Sequence, residues 1–120
     1  MLDHVHLLVQ GVVTTQLTEG SGKDLILRIV EKINMEILGG PFAYRSEVVG
    51  NEGITVITAI TTSHIVLHTW DTGMVQLDVY SCKDFKLTDI TDILELSSII
   101  NIKTKFLDRS NGFKDLTSLT

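Results

Sequence analysis

Eighteen consecutive residues, Gly53 to Trp70, carry no formal charge, and any fold of this chain has to bury most of them. An uncharged stretch of that length suits either a membrane-spanning helix or a run of buried strands. Its content favours strands: five Thr, one Ser and two His lie within it, and much of it alternates with a period of two. Similar runs rich in Val, Ile, Thr and aromatic residues flank it. Four successive strands are therefore expected at Phe42–Val49, Ile54–Ile60, His64–Trp70 and Met74–Cys82.

The surrounding sequence adds helices. Asp3–Gln10 is a short apolar run that reads as a first strand, with residues 11–20 as strand end and loop. From Ser21, the stripe Leu25/Ile26, Ile29/Val30, Ile33 and Ile37 predicts a helix. Ser21 and Asp24 resemble a capping box, Gly39-Gly40 supply a stop, and Pro41 follows. A second helix is expected after Thr88, where Asp89 and Asp92 favour the first turn, with Ile90, Ile93, Leu94 and Ile100 on its apolar face. Asn101–Leu107 alternates Ile102, Thr104 and Phe106 with Lys103 and Lys105, a strand with one wet face. One helix before the strand cluster and one after it predict an α+β two-layer sandwich, a mostly antiparallel sheet with two helices on one face. Residues 1–107 form the domain, and 108–120 form a polar, mobile C-terminal tail.

Composition excludes several classes of function. The chain has 120 residues, enough for one domain with a real core, and its 43% hydrophobic content does not suit a disordered protein. A net charge of −5 with no Lys/Arg cluster argues against nucleic-acid binding, which needs a basic patch. Cys82 is the only cysteine, so neither an intrachain disulfide nor a multi-cysteine metal site can form. Met1-Leu2-Asp3-His4 lacks the basic start of a signal peptide, and a cytoplasmic protein with no membrane partner is expected.

Asp71-Thr72-Gly73 is a natural three-residue hairpin loop with Gly in the left-handed position. That loop sets Trp70 against Met74, His68 against Gln76 and Thr62 against Cys82. It brings the Cys82 thiol near the Ser63 hydroxyl at the open end of one hairpin, Thr61 to Cys82. His64, Val66, His68 and Trp70 share a face with Gln76, Asp78, Tyr80 and Cys82. Ser63 and His68, five residues apart, are separated by roughly 16 Å of extended strand and point to opposite faces. Their meeting needs a bend, a bulge or a neighbouring strand. Three readings stand side by side. The residues can be ordinary strand positions, Cys82 a small core hydrophobe. They can hold a metal, although His64 and His68 lie about 13 Å apart and His4 with His6 lack a third ligand, so no metal is expected. Or they can form a reaction site, because a nucleophile, a base and a proton donor share one short hairpin.

The residues themselves resemble a family. Thr62-Ser63-His64-Ile65-Val66-Leu67-His68-Thr69-Trp70, followed by Leu77-Asp78-Val79-Tyr80-Ser81-Cys82, is similar to the core of the prokaryotic-type S-adenosylmethionine decarboxylases. Their hallmark is a run E-S-H-x-x-x-H-T-W-P-E and then D-x-[FY]-[ST]-C. The spacing from serine to histidine to tryptophan is identical, and the tract to the cysteine is one residue shorter. His6-Leu7-Leu8-Val9 resembles the family's first strand. The similarity runs over roughly residues 4–107 and is specific in 61–82.

The resemblance implies a proenzyme that cuts itself between Thr62 and Ser63 by an N→O acyl shift and elimination, turning Ser63 into an N-terminal pyruvoyl group, the cofactor. It implies that His68 removes the proton in the elimination, that Thr55 is the hydroxyl residue assisting the rearrangement, and that Cys82 reprotonates the carbanion left by decarboxylation. Trp70 would stack on adenine. The pyruvoyl carbonyl would capture the substrate amine as a Schiff base and serve as electron sink. A homodimer with sites built from both protomers, acting in spermidine synthesis, is implied as well.

The departures concern the substrate. Thr62 stands for the family's glutamate before the serine, and Asp71-Thr72 stands for its P-E, leaving Asp71 to take the ribose hydroxyls one position early. Gln10 replaces an acidic residue near the end of strand one, and Val49 lies where an aromatic partner for adenine is expected. S-adenosylmethionine is the first substrate these residues suggest. A basic amino acid, ornithine or arginine, is the alternative, and an unprocessed non-catalytic homologue is a third possibility.

Overall fold

The computed structural model describes residues 4–117. Its elements are β1 (Val5–Val13), α1 (Glu19–Lys32), β2 (Ile37–Ser46), β3 (Gly53–Ile60), β4 (Ser63–Trp70), β5 (Met74–Ser81), α2 (Leu87–Leu96), β6 (Ile99–Asp108) and β7 (Lys114–Asp115). The strands form one sheet in the order β2-β3-β4-β5-β1-β6-β7 with every neighbouring pair antiparallel. The architecture is the expected α+β sandwich. β2 to β5 run as a meander, and β1 inserts between β5 and β6.

The period of two decides which side is covered. Leu7 and Val9 of β1, Val56 of β3, Ile65 and Leu67 of β4, and Leu77 and Val79 of β5 are buried. They form one core with Leu25, Ile26 and Ile29 of α1, and Ile90 and Leu94 of α2. Each fully buried Leu or Ile contributes about 1.5–3 kcal/mol relative to an exposed one. The alternate residues make a second face, over which no helix lies among the described residues. There Leu8, Val12, Phe42, Ile57 and Met74 are 40–53% exposed.

Several boundaries differ from those read in the sequence. α1 starts earlier: Thr18 is the cap, its hydroxyl accepts from the Ser21 amide, and Ser21 returns a bond to the Thr18 amide. The capping box is thus Thr18/Ser21, not Ser21/Asp24. Helix α1 also ends sooner. Asn34 takes a left-handed φ of 57°, which Asn tolerates, and so turns the chain before Ile37 can join the stripe. Gly39 and Gly40 lie inside β2 at a register shift. Gly40 has φ 92°, and a Cβ there would sit 2.7 Å from the Ile57 carbonyl oxygen, so glycine lets two strands approach. Helix α2 begins at Leu87, following Lys86, and Ile100 belongs to β6, exposed on the open face. β1 runs on to Val13, while Asp3, the expected start, lies outside the described residues. In the stretch read as a loose tail, Lys114–Asp115 pairs with Leu107–Asp108. No helix among the described residues is long and apolar enough to cross a membrane.

Candidate functional site

The β4–β5 hairpin has the register its loop dictates. Gly73 turns with φ 98° and donates to the Trp70 carbonyl, His68 lies opposite Gln76, and Ser63 lies opposite Ser81. One residue beyond the ladder, the Cys82 amide donates to the Thr62 carbonyl oxygen at 2.9 Å. Thr62, Ser63 and Cys82 therefore meet at the open end of the hairpin, and Cys82 is a half-buried free thiol. The Thr62 hydroxyl points to the Met35 sulfur, 3.3 Å away.

Ser63 opens β4 with φ 152°, outside the range that residues with a Cβ ordinarily adopt. Such a conformation costs on the order of 1–3 kcal/mol and persists only where its surroundings impose it. Here the Thr61-Thr62 turn and the ladder that continues from His64 fix both sides. The Ser63 Oγ lies 3.3 Å from His64 Nδ1.

His68 is placed elsewhere. It lies on the open face, where its Nδ1 shares a 3.0 Å hydrogen bond with the Thr55 hydroxyl directly across on β3. Its ring centre is 5.9 Å from that of Trp70. It lines an open concavity of about 640 Å³ that also touches Leu8, Gln10, Gln76, Asp78 and Lys105. Among the described residues no hydrogen bond joins His68 to Ser63. Five strand positions separate them, roughly 16 Å, and no bend within β4 shortens the path.

Trp70 is half-buried, and its indole N–H donates to Asn51 Oδ1 at 2.8 Å. The Asp71 carboxylate accepts both terminal nitrogens of Arg45, at 3.0 and 2.6 Å, and Gln16 Nε2 at 2.8 Å. The Arg45 hydrogen bonds hold the Asp71 carboxyl below its usual range, and Asp71 in turn raises the guanidinium further. Three of the lone-pair directions of Asp71 are thus taken.

A second cluster escaped the sequence reading. His6 of β1, His64 of β4 and Asp78 of β5 sit on three adjacent strands of the open face, with one ligand atom from each lying within 4.8 Å of the others. His6 Nε2 is hydrogen-bonded to Asp78 Oδ1, and His64 Nε2 lies 3.5 Å from the same oxygen. Tyr80 packs between the two rings, its ring centre 5.4 Å from that of His6 and 5.7 Å from that of His64. Arg109 covers Tyr80 at 3.9 Å and reaches His6 Nδ1 at 3.4 Å. Two imidazoles and a carboxylate form a donor set that suits a divalent transition metal. Here both nitrogens converge on one oxygen, the arrangement of a proton-sharing network. Sequence spacing paired His4 with His6 and His64 with His68; only the insertion of β1 beside β5 brings His6 and His64 to the same carboxylate.

A sequence model of the S-adenosylmethionine decarboxylase family matches residues 6–107, which takes in both the hairpin and the His6–His64–Asp78 cluster. No curated protein matches the chain.

Proposed function

The chain belongs to the S-adenosylmethionine decarboxylase family, and on that footing we propose that it is a proenzyme that cuts itself between Thr62 and Ser63 and then decarboxylates S-adenosylmethionine. The observation that carries this reading is the scissile peptide itself. Ser63 is strained at φ 152°, and the oxygen of the carbonyl before it is held by the Cys82 amide at 2.9 Å. Strain raises the peptide toward its rearranged state, and a donor on the carbonyl oxygen polarises the carbon that the Ser63 hydroxyl attacks. The residues at this junction suit a pyruvoyl group made in place.

In the proposed route, Ser63 Oγ replaces its own nitrogen on the Thr62 carbonyl carbon, giving an ester. A base then removes the Ser63 Cα proton, the Cβ–Oγ bond breaks, and Thr62 leaves as a carboxylate. Water replaces the nitrogen of the remaining dehydroalanine, and ammonia departs. His68 is the base for the elimination, with Thr55 fixing its ring through Nδ1. Because some 16 Å separates His68 from Ser63 of its own chain, the base is His68 of the partner subunit. Two sheets packed through their open faces about a two-fold axis exchange the two positions, and that face carries the exposed Leu8, Val12, Ile57 and Met74.

The pyruvoyl group supplies an electron sink for loss of carbon dioxide from the substrate. Around it, Cys82 Sγ delivers a proton to the substrate carbon. Trp70, two positions from His68 on the same face and fixed by Asn51, offers a ring for the adenine to stack on.

Two observations favour a basic amino acid as the second reading. Asp71 is occupied by Arg45 and Gln16, and Val49, 93% exposed, offers no aromatic partner to a nucleobase. Release of labelled carbon dioxide from carboxyl-labelled S-adenosylmethionine, ornithine and arginine separates the two. Release from S-adenosylmethionine alone supports the first reading, and release from an amino acid alone overturns it.

A further inference from the structure

We propose that His64 is the base that starts the chain cleavage and that Asp78 is its positioning residue; the inference rests on the self-cleavage reading above. Among the described residues, His64 is the one side chain hydrogen-bonded to Ser63 Oγ, through Nδ1 at 3.3 Å. The other candidates are turned elsewhere. His68 of the same chain is roughly 16 Å along the strand, the partner subunit's His68 serves the later elimination, and Lys83 Nζ donates to the Asn34 carbonyl at 2.9 Å.

The far side of the His64 ring selects the tautomer. Its Nε2 lies 3.5 Å from Asp78 Oδ1, so the carboxylate favours a proton at that nitrogen and leaves the lone pair on Nδ1, facing the serine. Asp78 is itself fixed by His6, whose Nδ1 faces Arg109, and Tyr80 fills the space between the two imidazoles. Among the described residues, Asp78 and Tyr80 of β5, His6 of β1 and Arg109, just past the end of β6, are the titratable and charged groups gathered around His64. A serine, an imidazole and a carboxylate thus lie in sequence, with Cys82 N–H on the carbonyl oxygen that gains charge.

The step is an isomerisation and needs no co-reactant. His64 Nδ1 takes the Ser63 Oγ proton as Oγ bonds to the Thr62 carbonyl carbon. The Thr62–Ser63 C–N bond then breaks, and His64 returns the proton to the departing nitrogen. The product is an ester on Ser63 Oγ and a free amine, with no change in mass.

The test follows cleavage of freshly refolded full-length chain by intact mass. In His64→Ala the rate falls by a factor of about 10²–10⁴, the usual contribution of a general base, and the uncut chain resists hydroxylamine because it is still an amide. His68→Ala, blocked one step later, accumulates a hydroxylamine-labile ester. Free imidazole speeds His64→Ala, which a purely structural defect would not allow. His64→Gln, which keeps a hydrogen-bonding group but cannot take the proton, is equally slow and serves if the alanine variant does not fold. Asp78→Asn slows cleavage about tenfold or more, and Asp78→Glu restores most of it. A folded His64→Ala or His64→Gln that cuts at the wild-type rate, or that accumulates the ester, overturns the assignment while self-cleavage stands. A wild-type chain that never cuts at Ser63 removes the self-cleavage reading and this inference together.

Discussion

If His68 acts on Ser63 of a second copy, two inactive variants should repair each other. Ser63→Ala keeps His68 and loses the nucleophile; His68→Ala keeps Ser63 and loses the base. The geometry sets the expected size of the effect. Ser63 and His68 begin and nearly end the same straight strand, about 16 Å apart, so one chain cannot close the pair, while a two-fold axis midway between them near Val66 closes two pairs at once. A mixed dimer then holds one competent site: Ser63 of the His68→Ala chain facing His68 of the Ser63→Ala chain. With random pairing, about half of the His68→Ala chains are cut in an equal mixture and about nine-tenths at ninefold excess of Ser63→Ala. The assay unfolds and refolds the two chains together and reads the cut fraction of a tagged His68→Ala chain by intact mass. The Ser63→Ala chain stays whole at every ratio. A His68→Ala chain that is never cut, whatever the excess, refutes the shared site. One that is cut when alone refutes the role of His68.

Other outcomes follow from the packing and from the charged groups. Leu67→Ala, at a fully buried position between α1 and the sheet, lowers stability by about 2–5 kcal/mol, whereas Val66→Ala one residue away on the open face weakens dimerisation more than folding; thermal melts and sedimentation distinguish them. Thr55→Val removes the bond to His68 Nδ1 and slows cleavage severalfold, while Thr55→Ser retains the rate, as time courses of intact mass will show. The Asp115 carboxyl is lowered to about 2, chiefly by the Thr117 hydroxyl, with help from the Thr117 amide and Lys105. A depressed folded value means that this contribution is complete above the ordinary value of 3.8 and is lost as pH falls through about 2. The Leu116 amide, which donates to the Phe106 carbonyl, reports the loosening of β7 by NMR over that window, and Asp115→Asn abolishes the pH dependence.

The hairpin was legible because its cause is local. Alternation at Ile65, Leu67 and Thr69 buries one face, and a glycine at position 73 accepts the left-handed turn, so the Thr62–Cys82 register follows from loop length alone. The helix stops were misread for a related reason: a glycine pair is the stronger signal in sequence, yet Asn34 turned the chain first and Gly40 was needed for close strand approach. Partnerships between distant strands were not legible. His6 meets Asp78 only because β1 enters the sheet beside β5, seventy-two positions away in sequence. Arg45 meets Asp71 only across the sheet edge, which changed an apparently free carboxylate into an occupied one. The strain at Ser63 has no sequence signal beyond the family motif itself.

The central claim is that the Thr62–Ser63 bond breaks by the chain's own chemistry. It is tested most directly by the intact mass of purified protein under denaturing conditions beside a Ser63→Ala control. The account predicts two fragments, residues 1–62 and 63–120. The second should be blocked to N-terminal sequencing and lighter by one ammonia than a fragment beginning with serine, and the control should stay whole. A wild-type chain that remains a single uncut species after long incubation contradicts the account and leaves a non-catalytic member of the family.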